Sequence, residues 1–191
     1  SGGILQLKDG TFTNTGTIQS TGAGSIVRLA NGADVDNTGS TILAQGGSTV
    51  ELISGSLVTG GTLNTAGTGR IVGYGGTIKD ITNAGTFEIN NYGSANLQGA
   101  ITNTGSILMN QVTNSSSLKM DGDVTLTGGG TVTLSDSQTM VSGVVSTDRL
   151  TNVNNTIQGF GNIGNNSMAL TNQGTIDANQ IGTLYVDPSA S

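Results

Sequence analysis

The chain has 191 residues, of which 32 are Gly, one is Pro and none is Cys or His, with 9% charged and 3% aromatic residues. So few bulky and charged side chains exclude an ordinary globular core and a disordered polyelectrolyte. The formal charge of −6 argues against nucleic acid and anionic lipid as partners, and the lack of His and Cys excludes the usual zinc sites and His-dependent nucleophiles.

A short phrase occurs seven times along the chain: an apolar residue, a polar residue, Asn, a spacer and usually a small residue. The copies begin at Phe12, Val35, Ile81, Ile101, Val112, Leu150 and Leu170, and their asparagines are Asn14, Asn37, Asn83, Asn103, Asn114, Asn152 and Asn172. A phrase that recurs while its surroundings drift predicts a repeat architecture in which each unit stacks on its neighbour.

The segments that follow these phrases predict strands. Apolar and polar residues alternate in 87–89, 118–120 and 176–178, and Ile18 and Ile107 begin similar segments. A period of two is typical of a strand with one buried and one solvent-exposed face.

A second phrase places paired glycines before a strand. It occurs at 60–63, 75–78 and 129–132. Glycine there indicates a positive φ or a close approach of two backbones.

The spacing of the Asn phrase selects among all-β folds. The phrase returns at similar intervals from Phe12 to Val35, from Ile81 to Ile101 and from Leu150 to Leu170. These intervals define a coil of roughly 20 to 23 residues, with two or three short strands, which is typical of a solenoid. We therefore predict one domain over residues 1–191, an all-β parallel β-helix (β-solenoid) of about nine coils and roughly 40 Å in length.

Stacked coils place equivalent residues about 4.8 Å apart, so identical amides can bond to one another. We predict an internal ladder built from the seven asparagines of the phrase, with Asn83 and Asn103 in register. Columns of inward-facing aliphatic residues should lie beside it: Ile81, Ile89, Ile101, Ile107, Leu150, Leu170 and Ile176. Because Val112 follows Ile101 too closely to complete a coil, its phrase is expected on another side of the coil.

Two runs carry a resemblance to a known family. The runs 150–164 (LTNVNNTIQGFGNIG) and 170–179 (LTNQGTIDAN) resemble the repeats of large secreted bacterial surface proteins, the autotransporter passengers and filamentous-haemagglutinin-type adhesins. The resemblance covers most of the chain and is strongest over 126–188. It implies a right-handed parallel β-helix on or outside a bacterial cell, and it carries over no catalytic or binding residue.

Carboxylates are the main source of chemistry left in this sequence. Asp34 with Asp36, and Asp121 with Asp123, would each share a strand face at roughly 6 to 7 Å, which overlaps the spacing in inverting glycosidases. The neighbouring Gly32 and Gly122 favour solvated turn residues instead.

Other candidate sites are weak in the sequence. The basic residues and the three tyrosines (Tyr74, Tyr92 and Tyr185) are dispersed, and 75–80 lacks the third Gly of a calcium-binding repeat. Thr-x-Thr triplets at 11–13, 125–127 and 131–133 do not recur at one-coil spacing, which disfavours an ice-binding array. We predict no cofactor and no metal.

The expected function is therefore a non-enzymatic structural or adhesive module. The lack of Cys in an extracellular-looking composition favours a bacterial cell surface, and no apolar run predicts membrane insertion. The alternatives are a polysaccharide-binding or polysaccharide-processing β-helix and, third, an ice-binding surface. Neither end reads as a cap, so we expect either a segment of a longer chain or a mature fibre subunit that stacks head to tail. Expected partners are other copies of the chain, or glycans of host or neighbouring cells or the matrix.

Overall fold

The computed structural model describes residues 2–110 and 114–189, and the regular structure within them is a single parallel sheet of 22 strands. The first strands are β1 (Ile4–Lys8), β2 (Thr11–Thr13), β3 (Thr17–Thr21), β4 (Ile26–Ala30), β5 (Asp34–Asp36), β6 (Thr41–Gln45), β7 (Thr49–Ile53), β8 (Leu57–Thr59), β9 (Thr62–Ala66), β10 (Arg70–Tyr74) and β11 (Gly76–Lys79). They are followed by β12 (Thr82–Asn83), β13 (Thr86–Ile89), β14 (Ser94–Asn103), β15 (Ser106–Met109), β16 (Ser116–Thr127), β17 (Thr131–Gly143), β18 (Arg149–Asn152), β19 (Thr156–Gly164), β20 (Ala169–Asn172), β21 (Thr175–Asp177) and β22 (Leu184–Val186). No helix that could span a membrane occurs in these ranges.

Each turn of the solenoid contributes one strand to each of its three faces. The first face stacks β1, β4, β7, β10, β13, β15, the first halves of β17 and β19, and β21. The second stacks β2, β5, β8, β11, the first halves of β14 and β16, the second halves of β17 and β19, and β22. The third stacks β3, β6, β9, β12, the second halves of β14 and β16, β18 and β20.

This stacking confirms the predicted parallel β-solenoid, with about eight turns where the sequence predicts about nine. The turns are unequal in length. The pairing of Ile71 with Phe87 closes a short turn, whereas the pairing of Leu126 with Asn152 closes a long one. Several later turns are longer than the usual interval between copies of the phrase, so the chain completes fewer of them.

The core consists of inward columns that run along the solenoid. On the first face one column is Val27, Val50, Ile71, Phe87, Ile107, Val132 and Ile157, all buried. Burying each such side chain contributes about 1.5–3 kcal/mol. Of the aliphatic residues predicted to face inward, Leu170 and Ile176 are half-buried in the last turns, and the others are buried: Ile81, Ile89, Ile101, Ile107 and Leu150.

One aromatic ring interrupts the aliphatic columns. Phe87 is fully buried, and a Cβ placed on Gly73 of the preceding turn would lie 3.1 Å from its Cζ and 3.1 Å from the Ala95 Cβ. The missing side chain of Gly73 therefore makes the space that the Phe87 ring occupies.

Candidate functional site

In four copies of the Asn phrase the asparagine bonds to its own corner, whereas Asn83 and Asn103 donate to carbonyls of the next turn. The Nδ2 atom of Asn37 donates to the Ser40 carbonyl at 3.2 Å, and that of Asn152 donates to the Asn155 carbonyl at 3.0 Å. This local bond satisfies a backbone acceptor at the corner, where the chain leaves one strand and has not yet begun the next. The requirement to satisfy such groups explains why Asn precedes the next strand so often.

Five asparagines form a continuous hydrogen-bonded chain, which we call the Asn chain, along the corner between the third and first faces. Asn83 Nδ2 donates to Asn103 Oδ1 at 2.8 Å, and Asn103 Nδ2 donates to Asn155 Oδ1 at 3.0 Å. The Asn155 N–H donates to Asn152 Oδ1 at 3.1 Å, and Asn152 Nδ2 donates to Asn172 Oδ1 at 2.8 Å. Asn172 is exposed, whereas the other four are buried, so each internal bond also satisfies a group withdrawn from water.

Asn155 is the member that the sequence analysis missed. It lies three residues after the phrase asparagine Asn152, and it bonds to a partner two turns away because the turn between them carries 128–130, which are all Gly. The sequence signal for Asn155 is its position, three residues after the phrase asparagine and directly before the next strand. Ser40 has the same position relative to Asn37.

The remaining predicted asparagines lie at other corners. Asn14 and Asn37 follow strands of the second face, and Asn14 Nδ2 donates to Asn37 Oδ1 at 2.7 Å. Asn114 is half-buried between β15 and β16, where the first face leads to the second, and Val112 of its phrase lies outside the described residues. The seven asparagines thus occupy three corners instead of one row, because the turn is a local unit that suits any corner.

The paired glycines are the counterpart of the asparagines. A Cβ on Gly130 would lie 2.8 Å from Asn103 Nδ2, one on Gly174 would lie 2.7 Å from Asn152 Nδ2, and one on Gly61 would collide with the Asn37 carbonyl and amide. Glycine therefore leaves room for the amide of the preceding turn, both in corners without an Asn and, at Gly174, in a corner that has Asn172. The phrases at 60–63 and 129–132 serve this purpose.

We expect Gly61→Ala to lower the free energy of unfolding by about 2–4 kcal/mol, because the methyl group meets Asn37 and the residue has φ +68. Urea unfolding followed by circular dichroism measures it. Gly16→Ala is the matched control, since Gly16 has open space around it and no positive φ. Equal stability of the two variants would contradict this account of the glycines.

Of the paired carboxylates, Asp34, Asp36 and Asp123 are solvent-exposed and Asp121 is half-buried. Asp34 and Asp36 both point outward from β5, a strand instead of the turn expected for them. Asp36 Oδ1 accepts from the Thr38 N–H at 3.0 Å, and Asp121 Oδ2 accepts from Gln98 Nε2 at 2.8 Å. Within the described residues no three His, Cys, Asp or Glu side chains converge as metal ligands would.

The acid dependence of stability should report on Asp36. Hydrogen bonds from the side chain and backbone of Thr38 hold the pKa of its carboxyl below the ordinary value. A lowered folded-state pKa means that the contribution is present above the ordinary carboxyl pKa of about 3.9 and is lost as the pH falls through the folded value. Asp36→Ala should therefore be less stable than the unmodified chain at neutral pH and equal to it near pH 2. A difference that persists in acid would contradict this assignment.

Threonines form an outward-facing column on the third face, which the positions of the Thr-x-Thr triplets did not predict. Thr17, Thr41, Thr62, Thr82, Thr102 and Thr127 pair in register over six successive strands of the third face. The three predicted Thr-x-Thr triplets lie on three different faces. The outward column next to the threonines begins with Gln19, Leu43 and Asn64, so its side chains are mixed.

The first face carries two ion pairs between adjacent turns. Arg28 Nε bonds to Glu51 Oε2 at 2.7 Å, and Arg70 Nε bonds to Glu88 Oε2 at 2.9 Å. The hydrogen bond to Glu88 raises the pKa of the Arg70 guanidinium. Each pair neutralises its own charges, so this face offers no excess of either sign at these turns.

Comparison with known proteins yields one partial similarity. No protein-family model matches the chain, and no solved structure matches it. A protein from Escherichia coli (strain K12), the uncharacterized protein YuaQ, is 36% identical over 135 residues. The alignment covers 62% of this chain and 9% of YuaQ. The chain thus spans less than a tenth of this relative, whose name states no activity.

Proposed function

We propose that this chain is a non-enzymatic structural segment of an extracellular bacterial surface protein, which holds adhesive surfaces at fixed spacing. The observation that carries the proposal is the in-register stacking of turns on all three faces around packed columns and the Asn chain. Such a rod is stiff, because each strand within it bonds to the turns on both sides. The similarity to a small part of a much longer bacterial protein, and the resemblance to autotransporter and haemagglutinin-type repeats, support this proposal.

The enzymatic alternative can be tested directly against it. We expect the purified chain to release no reducing ends from pectate, xylan or mannan, while beads coated with it are retained on layers of cells. The variants Asp34→Asn and Asp123→Asn provide the comparison, since these carboxylates are exposed. Release of reducing ends that disappears in either variant would establish a polysaccharide-processing enzyme instead.

Location is a separate part of the proposal. Treatment of intact cells of the producing bacterium with proteinase K should remove the epitope of an antibody raised against this chain. A cytoplasmic protein measured in the same cells is the control. Protection of the epitope until the cells are lysed would contradict an extracellular site.

Stacking of copies is the partner proposal that the ends of the solenoid support. Among the described strands β1 bonds only to β4, and its Ile4 and Leu5 are exposed, as are Tyr185 and Val186 on β22. The two edges of a parallel solenoid are complementary, so a second copy can continue the stack and form a filament. Electron microscopy should show rods that lengthen with protein concentration and shorten in Leu5→Lys. Discrete particles at every concentration would contradict it.

A further inference from the structure

A bulky aromatic residue occupies a backbone conformation that it rarely adopts. Six non-glycine residues in 2–110 and 114–189 have positive φ, and five of them are Asn or Asp. The sixth is Tyr92, with φ 60 and 79% of its surface exposed. Asn and Asp tolerate this region because their short polar side chains bond locally, whereas a tyrosine gains nothing comparable. A strained and exposed aromatic side chain is a signal of function.

A second exposed tyrosine lies at the same corner on the preceding turn. Gly75 N donates to the Ser94 carbonyl at 2.6 Å, and a Cβ on Gly93 would lie 2.9 Å from the Gly73 carbonyl. These contacts place Tyr74, which is 40% exposed, and Tyr92 on adjacent turns of one corner, between the first and second faces. Adjacent turns are about 4.8 Å apart, so the two rings can contact neighbouring parts of one extended ligand.

The side chains near the two tyrosines are mainly polar and uncharged. Thr77 and Asn96 pair in register on the adjacent second face. Arg70 and Glu88 on the first face neutralise each other, and Lys119 of the following turn pairs in register with Asn96. Hydroxyl and amide groups around aromatic rings suit a ligand that has both C–H faces and many hydroxyl groups. A protein partner would need a larger apolar centre than two rings provide.

From these observations we propose that Tyr74 and Tyr92 form a binding surface for a neutral glycan, whose sugar rings stack on the two side chains. This inference rests on the adhesive role proposed above and gives it a site. The overall charge of −6 disfavours acidic glycans through long-range repulsion.

The test uses the whole purified chain in native gels that contain amylose, laminarin, yeast mannan, galactan or, as the acidic probe, polygalacturonate. We expect at least one neutral polysaccharide to retard the chain and polygalacturonate not to. Tyr74→Ala and Tyr92→Asn should each weaken binding at least tenfold. Tyr185→Ala is the matched control, because Tyr185 is also exposed but lies on β22, and it should bind as the unmodified chain does.

Tyr92→Asn separates binding from folding. Asn suits the left-handed conformation, so this variant should be at least as stable to urea as the unmodified chain while it loses glycan binding. Undiminished binding by Tyr92→Asn, or binding to polygalacturonate alone, overturns the proposed site. Absence of binding to every neutral glycan also overturns it. If beads coated with the chain still adhere to cells in that case, the adhesive function stands with a different ligand; if they do not, it fails as well.

Discussion

Phe87→Ala is expected to lower the free energy of unfolding by about 3–5 kcal/mol, more than truncation of any aliphatic residue in the same column. Phe87 is fully buried in the first-face column and fills the space beside Gly73 and Ala95. Truncation would leave a cavity that the stacked backbones around it cannot close, because their spacing is set by strand pairing. Urea unfolding followed by circular dichroism measures the loss.

Phe12→Ala is the matched control for this substitution. Phe12 is only half-buried on β2 in the first turn, so its truncation should lower the free energy of unfolding clearly less.

A double-mutant cycle tests whether Phe87 and Gly73 share one space. Gly73→Ala in the unmodified chain should lower the free energy of unfolding by about 1–3 kcal/mol, because the added methyl group crowds the ring. In a chain that carries Phe87→Leu, the same substitution should lower it by at least about 1 kcal/mol less. Additive effects would contradict a shared space.

Asn103→Ala is expected to lower the free energy of unfolding by about 2–4 kcal/mol. Its amide accepts from Asn83 and donates to Asn155 and to the Thr131 carbonyl at 3.0 Å. Removing the Asn103 side chain leaves buried polar atoms of its neighbours without a partner. An unpaired buried polar atom destabilises the fold by more than a hydrogen bond at an exposed site would stabilise it.

Asn172→Ala is the control for Asn103. Asn172 ends the Asn chain and is exposed, and Asn152 keeps its bond to the Asn155 carbonyl without it. We expect a loss below about 1 kcal/mol, since water replaces the missing partner. If both substitutions cost the same, the buried part of the Asn chain contributes no more than its exposed end.

Phe87 and Asn103 also bear on the function proposed for this chain. If the chain holds binding surfaces at fixed spacing, as we propose, single turns must not separate when the rod is under tension. The inward columns and the Asn chain both cross from turn to turn, so each opposes the separation of neighbouring turns. Tyr74 and Tyr92 lie on the two turns that Gly73 and Phe87 join, so the rigidity of this contact also sets the distance between the two rings.

Much of the fold follows from local patterns in the sequence. Alternating apolar residues predict strands, Asn-x-Gly predicts the corners, and the return of the phrase from Ile81 to Ile101 predicts stacked coils. These inferences hold because strand alternation and turn chemistry depend on residues close together in the chain. The register of Asn83 with Asn103 follows directly from that return.

Only the tertiary structure decided which corner each turn occupies and how long each coil is. The phrase has the same local sequence wherever it occurs, so Asn14 and Asn83 look alike in sequence although they lie at different corners. The partnership of Asn103 with Asn155 joins positions far apart in the chain and depends on glycines in the turn between them. The proximity of Tyr74 and Tyr92 likewise depends on the short turn that the pairing of β10 with β13 closes. Local residue preferences determine strands and turns, whereas the contacts between turns depend on the summed length of all the segments between them.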